Sequence, residues 1–266
     1  MSRTYETVSF ISDFGYESEH VGVVKAVLRE SAPHVVVIDL THGISPFDVR
    51  GASLSLARAV PYLTEGIVIA AVDPGAGTQR RLVAIEVAGG AGIFIGPDNG
   101  LLAPGVALVG GAERAVILDK EEHHLVAPGS TFAARDVFAP IAAMLCNGID
   151  LYEVGTQVDP AALLPGIVPI PRDENGTLEC EVIWVDRFGN CQLNVSLDDL
   201  ETAWNTKVDR VRVSFGENIR NFAISTSFAD LGQGATGLVI DSSGLLCLAV
   251  DRSSAAKELS LGEGEQ

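Results

Sequence analysis

Four of the chain's 12 prolines fall between Pro160 and Pro171, in the run DPAALLPGIVPIP. Proline fixes φ and removes a backbone donor, so this density excludes a regular helix and reads as an extended linker. The polar run Arg172-Asp173-Glu174-Asn175-Gly176 continues it. The 266 residues therefore divide into an N-terminal domain over 1–158, a Pro-rich linker over 159–176 and a C-terminal domain over 177–266.

The two parts differ in pattern. Before the linker, short apolar runs alternate with stretches of helical spacing. Val8–Ile11, Val35–Leu40, Ile67–Val72, Leu82–Val87 and Gly92–Ile95 read as strands, whereas Val21–Glu30, Val49–Val60 and Val137–Leu145 read as helices. Continuous apolar strands alternating with helices indicate an α/β domain with a mainly parallel sheet. After the linker come only short strand-like runs separated by turn signals, which read as a smaller C-terminal β domain. The polar tail Leu261–Gln266 is expected to fray.

Composition removes several functions. With 35 acidic against 18 basic residues the formal net charge is −17, which argues against sequence-independent nucleic-acid binding and against docking on anionic lipid. No apolar run is long enough to span a membrane, and the N-terminus lacks a signal-peptide core. Cys146, Cys180, Cys191 and Cys247 lack CxxC spacing and read as reduced, mostly buried thiols of a cytoplasmic protein. No Cys/His pattern has zinc-ligand spacing apart from the adjacent His123 and His124, so no metal is expected.

Polar residues gather at the ends of the apolar runs: Asp13 after the first, Asp39-Thr41-His42 at the second, Asp73 and Arg80 after the third, and Asp98-Asn99 after a later one. Ligands of open parallel sheets bind outside the carboxyl ends of the strands, although Asp and Asn there also cap helices and start turns. The segment from Asp73 to Arg80 contains two glycines but matches neither the P-loop nor the dinucleotide fingerprint. It therefore offers a carboxylate and a guanidinium on a turn. In the second half, Asp186-Arg187-Phe188-Gly189-Asn190 is either an ordinary hairpin or an aromatic platform with an amide to read a heterocycle. Asp241-Ser242-Ser243-Gly244 carries the same two readings.

Taken in order, SDFG at 12–15, the P-x-V-x-V-x-D-x-T-H pattern over 33–42, VDPGAGTQRR at 72–81, GPDNGLL at 96–102, STFAARDVFAPIAA at 130–143 and DRFGN at 186–190 resemble one family. It is the adenosine-forming S-adenosyl-L-methionine (SAM) hydrolases, relatives of the SAM-dependent fluorinase and chlorinase. The resemblance implies an N-terminal α/β domain, a C-terminal β domain and a homotrimer with active sites between subunits. It implies that Asp13 holds the ribose hydroxyls and that Phe47 lies against the substrate. Phe188, Asn190 and Phe228 would surround adenine, and Asp186 and Ser242 would hold the methionine ammonium. SAM is then the substrate, adenosine and L-methionine are the products, and no cofactor is needed.

Asp73 and Arg80 match two members of the family's Asp-Arg-His triad. The third is absent: the family reads S-T-F-H-G-R-D, and Ala133 stands at the histidine. Alanine has no donor, acceptor or titratable group. The position is an engineered change, a natural variant in which another group serves, or the mark of a protein that binds without turnover; His123 and His124 are weighed as substitutes. Water would attack the ribose 5′ carbon, with Arg80 orienting it and Asp73 holding Arg80. Turnover is expected to fall by one or more powers of ten without the base. The alternative enzyme reading, halide attack on the same carbon, is disfavoured by the carboxylate of Asp73.

Overall fold

The computed structural model describes residues 3–266. The chain forms two compact units, one ending at Val168 and one beginning at Pro169.

The first unit is built on a seven-stranded sheet of order β2-β1-β3-β5-β4-β6-β7. Its strands are β1 (Thr7–Ser12), β2 (Val36–Thr41), β3 (Gly66–Ala71), β4 (Leu82–Val87), β5 (Gly92–Pro97), β6 (Ala112–Ile117) and β7 (Thr156–Val158). Helices α1 (His20–Ser31) and α4 (Ala139–Cys146) pack together on one apolar cluster, and α2 (Val49–Ala59) and α3 (Ala103–Leu108) on a second. β3 is buried along its whole length, as its unbroken apolar sequence requires. The equally β-branched β2 is an edge strand, with Val36 62% and Ile38 40% exposed.

The parallel sheet read from the sequence is present as β2-β1-β3-β5. It is extended by an antiparallel half, β5-β4-β6-β7. The reason lies in the connection from β4 to β5. Only Ala88–Ala91 joins them, too few residues for a crossover, and Ala88, Gly89 and Gly90 all take positive φ to close a hairpin. The start of β4 and the end of β6 consequently lie at the same edge of the sheet as the carboxyl ends of the parallel strands.

Much of the proline-rich segment packs on this unit. Arg81 donates to the Ala162 carbonyl at 2.8 Å, and the Leu164 N–H donates to Asp98 Oδ1 at 2.8 Å. The polar run that follows is a hairpin, β8 (Arg172–Glu174) and β9 (Thr177–Glu179), turned by Asn175 and Gly176 at positive φ.

The second unit holds a six-stranded sheet of order β10-β11-β15-β14-β13-β12. The strands are β10 (Val182–Val185), β11 (Cys191–Ser196), β12 (Arg210–Phe215), β13 (Asn218–Ser225), β14 (Thr236–Ile240) and β15 (Leu245–Val250). Two helices absent from the sequence reading, α5 (Leu197–Trp204) and α6 (Ala255–Leu259), accompany it. The start of α5 was legible: Ser196 and Asp199 form a reciprocal capping box. The tail does not fray as expected. The Gly264 N–H donates to the Val182 carbonyl at 2.8 Å, and the Val182 N–H to the Glu265 carbonyl at 2.9 Å, so the tail satisfies the open edge of β10. Among the described residues no helix is long and apolar enough to cross a membrane.

Candidate active site

The first unit concentrates its candidates at one sheet edge. Asp13 follows β1, and its Oδ2 accepts the Phe47 N–H at 2.9 Å, which ties the β1 turn to the loop after β2. Phe47 sits at φ 68°, a left-handed conformation that costs a side chain with a Cβ about 1–2 kcal/mol. Its ring is 70% exposed. A bulky residue held in that region with its ring in solvent is the kind of outlier that points to a ligand site.

Asp73 follows β3 and Arg80 precedes β4, strands that are not neighbours, because β5 lies between them. The loop joining them therefore arches over the carboxyl end of β5. Arg80 Nε lies 2.8 Å from Asp73 Oδ1 as a close ion pair, without the alignment of a hydrogen bond. The same Asp73 oxygen accepts the Gly75 N–H at 2.8 Å. A Cβ at Gly75 would stand 2.4 Å from an Arg80 amino nitrogen, so the absence of a side chain there seats the guanidinium. Among the described residues the terminal amino groups of Arg80 have no hydrogen-bond partner. They are free for a ligand.

Position 133 adjoins this loop through its neighbours. A Cβ on Gly77, at φ 80°, would lie 3.1 Å from the Thr131 methyl carbon. Ala133 is partly buried against the first core cluster and precedes a single π-type turn, Ala134–Phe138. Such turns are rare and recur at functional sites. Arg135 there pairs with its neighbour Asp136 through two hydrogen bonds, 2.6 and 3.0 Å long.

The two other polar strand ends are occupied by the fold itself. Asp39 is bonded to Lys25 and lies 3.1 Å from His42 Nε2. Burial pushes its carboxyl up, but the bonds from Lys25 and His42 outweigh this and hold it below the ordinary value. His42 is fully buried, its Nδ1 2.7 Å from Ser12 Oγ. Ser12, His42 and Asp39 look like a nucleophile triad, yet Ser12 is completely buried and cannot meet a substrate. The cluster braces the end of β1 beneath Asp13. Asp98 pairs with Arg81, and the Asn99 amide donates to the Val72 carbonyl at 3.0 Å while its oxygen accepts the Leu101 N–H at 3.1 Å.

In the second unit, Asp186 organises its own turn. Oδ1 accepts the N–H groups of Phe188 and Asn190, at 2.8 and 2.9 Å, and Oδ2 accepts the Asn190 side-chain amide at 2.8 Å. This is the hairpin of the plain reading, yet it leaves the Phe188 ring 76% exposed and the Asn190 oxygen unused. Asp241 builds a second such turn by accepting from Ser243 and Leu245, which leaves Ser242 exposed. Buried Gln192, which the sequence reading passed over, donates to Asp241. Phe228, on a 3₁₀ turn, is 46% exposed. All four cysteines are free thiols; burial, and secondarily Asp186, pushes Cys191 up to about 11, so it is unreactive. Among the described residues no cluster of His, Cys, Asp or Glu could hold a metal ion.

Family models describe the same two parts. The SAM hydroxide adenosyltransferase N-terminal domain matches residues 8–155, and the corresponding C-terminal domain matches 180–266. The chain belongs to this family. Among its relatives, an (R)-S-adenosyl-L-methionine hydrolase of Salinispora tropica is 38% identical, covering 97% of this chain and 95% of its own. One of Thermus thermophilus is 39% identical, covering 97% and 96%. A fluorinase of Actinoplanes is more distant, at 28% identity over 97% of this chain and 95% of its own. A crystal structure of an uncharacterized conserved protein from Thermotoga maritima shares the fold with a TM-score of 0.88 at 32% identity, covering 97% of each chain. As a family member, the chain carries an enzyme's fold rather than that of a scaffold.

Proposed function

We propose that this protein hydrolyses S-adenosyl-L-methionine to adenosine and L-methionine, acting on the R sulfonium epimer named for its relatives. The observation that carries the reading is Arg80, paired with Asp73 on a loop at the sheet edge and retaining free amino groups. In this reading the water oxygen bonds to the ribose 5′ carbon as the carbon–sulfur bond breaks. The bonding pair goes to sulfur, which leaves as the neutral thioether of methionine, so departure needs no acid. The protein's task is alignment and removal of the water's proton. Positioning alone is worth about 7–11 kcal/mol in favourable cases.

Arg80 donates to the attacking water and Asp73 fixes Arg80. Asp13 holds the ribose hydroxyls with the oxygen not engaged by Phe47, and Phe47 covers the substrate. Asp186 and Ser242 hold the methionine ammonium, while Phe188, Asn190 and Phe228 surround adenine. The proposed working form is a cytoplasmic homotrimer without a cofactor, in which a neighbouring subunit supplies the second-unit residues. Ala133 leaves the site without the family imidazole, whatever the origin of the substitution. A halide nucleophile is the weaker reading, because Asp73 would repel it and the fluorinase relative is the more distant. A protein that binds SAM or adenosine without turnover is the remaining non-catalytic reading.

The test is incubation with each SAM epimer in ¹⁸O-labelled water containing chloride, followed by chromatography and mass spectrometry. Label at the 5′ oxygen of adenosine supports hydrolysis. A 5′-chloro-5′-deoxynucleoside would replace it with halogenation, and tight binding with no product from either epimer would leave a binding protein.

A further inference from the structure

The chain has five histidines, and the fold gives four of them other settings. His34 is exposed just before β2, at the sheet edge opposite Asp13. His42 is sealed in the core between Ser12 and Asp39. His123 Nε2 is 3.1 Å from the Glu153 carbonyl oxygen. His124 Nε2 is shut off from solvent with no partner among the described residues. In the last two, weighed above as replacements for the missing imidazole, Nε2 is thus either held at a carbonyl or closed to solvent.

His20 differs from all four. It opens α1, a few residues beyond Asp13, and its ring meets two aromatic side chains, Phe14 and Phe132. The centroid is 5.6 Å from that of Phe14 and 4.9 Å from that of Phe132, the residue immediately before Ala133. Phe14 and Phe132 also meet edge to face at 5.6 Å, so the three rings form one cluster. Ser18 Oγ lies 2.8 Å from His20 Nδ1. A hydroxyl both donates and accepts, so Ser18 orients the imidazole in either protonation state. Nε2 has no partner among the described residues, and the side chain is only part-buried. The segment that carries Phe132 is also the one the Asp73–Arg80 loop touches, through Gly77 and Thr131. The charged side chains on the segments around the ring are Glu17 and Glu19 just before it and Arg135, whose guanidinium lies 4.9 Å from the Phe132 centroid.

We propose that His20 supplies the imidazole that the chain lacks at position 133. Resting on the hydrolase reading above, the step is water attack on the ribose 5′ carbon. As the oxygen–carbon bond forms and the carbon–sulfur pair passes to methionine, the water's proton goes to His20 Nε2 and is returned to solvent after release. Ala133 is then compatible with a working enzyme, because the imidazole approaches from α1 instead of from the turn that carries Ala133.

The experiment compares the parent with His20→Phe, His20→Gln, Ala133→His and the double variant His20→Phe/Ala133→His. Phe preserves the aromatic cluster, and Gln keeps a polar side chain should Phe disturb folding; melting temperatures monitor both. Removing a general base lowers kcat by about 10²–10⁴-fold. The expected result is a loss in that range for both single His20 variants with KM changed less than fivefold (about). It includes loss of the acid limb of the pH–kcat profile and recovery of about tenfold or more in the double variant. Folded His20 variants that turn over within about twofold of the parent, or that keep the acid limb, overturn the proposal while leaving hydrolysis intact. A parent that makes no adenosine from either epimer overturns both readings.

Discussion

Arg80 and Arg114 sit at opposite edges of the same sheet and look alike by exposure. Each guanidinium side chain is 30% exposed, and its closest carboxylate partner, Asp73 or Glu86, is 12% exposed. What differs is saturation. Arg114 grips Glu86 with two hydrogen bonds, reaches both Asp150 oxygens at 3.2 Å and lies 4.7 Å from the Tyr152 ring centroid. These bonds, led by that to Glu86, raise its pKa, and all three guanidinium nitrogens are engaged. Arg80 has one imperfect pairing, and its amino groups have no hydrogen-bond partner among the described residues. A cavity of about 540 Å³ lies at the Arg114 edge, lined by Tyr5, Glu86, Gly90, Arg114 and Asp150, yet its polar groups already serve one another. Cavity size and burial do not identify a reactive arginine; unspent hydrogen-bonding capacity does.

The contrast can be broken by exchanging the outcomes of substitution. Of the substitutions at the two arginines, Arg80→Met should cost the most: about 10²–10³ in kcat, the loss typical of a removed oriented donor, with stability changed by less than about 1 kcal/mol. Gly75→Ala should act in the same direction without touching a charge, because the new Cβ displaces the guanidinium. Steady-state kinetics beside thermal melts would show both, and undiminished turnover in the two variants would remove Arg80 from the site.

Arg114→Met should do the reverse. It leaves Glu86 unpaired and should lower stability by about 2 kcal/mol, less than a fully buried pair because both groups meet solvent. Turnover per folded molecule should stay at the parent level; a selective loss of kcat would make the far edge functional. The smallest effect concerns acid. Asp150 is held below the ordinary carboxylate value, first by the Tyr152 N–H and then, against burial, by Arg114. A depressed folded-state pKa stabilises above the unfolded value, near 3.9, and that contribution is lost as pH falls through the folded one. Melting temperature should therefore fall below about pH 4, and the fall should be shallower in Arg114→Met by about 0.5 kcal/mol, the scale of an exposed pair. Asp39, held down by Lys25 and His42, keeps its share of the acid loss in both proteins.

The fold was legible where local pattern suffices. Unbroken apolar runs gave β1, β3, β4 and β5, and Asp73, Asp186 and Asp241 mark turns because each carboxylate can close a loop on nearby N–H groups. The antiparallel half of the first sheet was not legible from apolar runs alone, since direction depends on the length and handedness of a four-residue connection, Ala88–Ala91. Among the polar strand ends, composition did not separate Asp39 and Asp98 from Asp13 and Asp73. The first two are engaged by Lys25 and Arg81, and pairing is a property of packing.

By itself the sequence determined the two-part organisation and the carboxylates at the strand ends, because proline density, hydrophobic period and turn chemistry act within a few residues along the chain, and its ordered motifs carried the resemblance to the family. Only the tertiary structure decided which arginine keeps unspent donors and which histidine meets Phe132. Those facts depend on side chains meeting across the sheet edge. His20 reaches Phe132 only because α1 and the turn before α4 pack on one face.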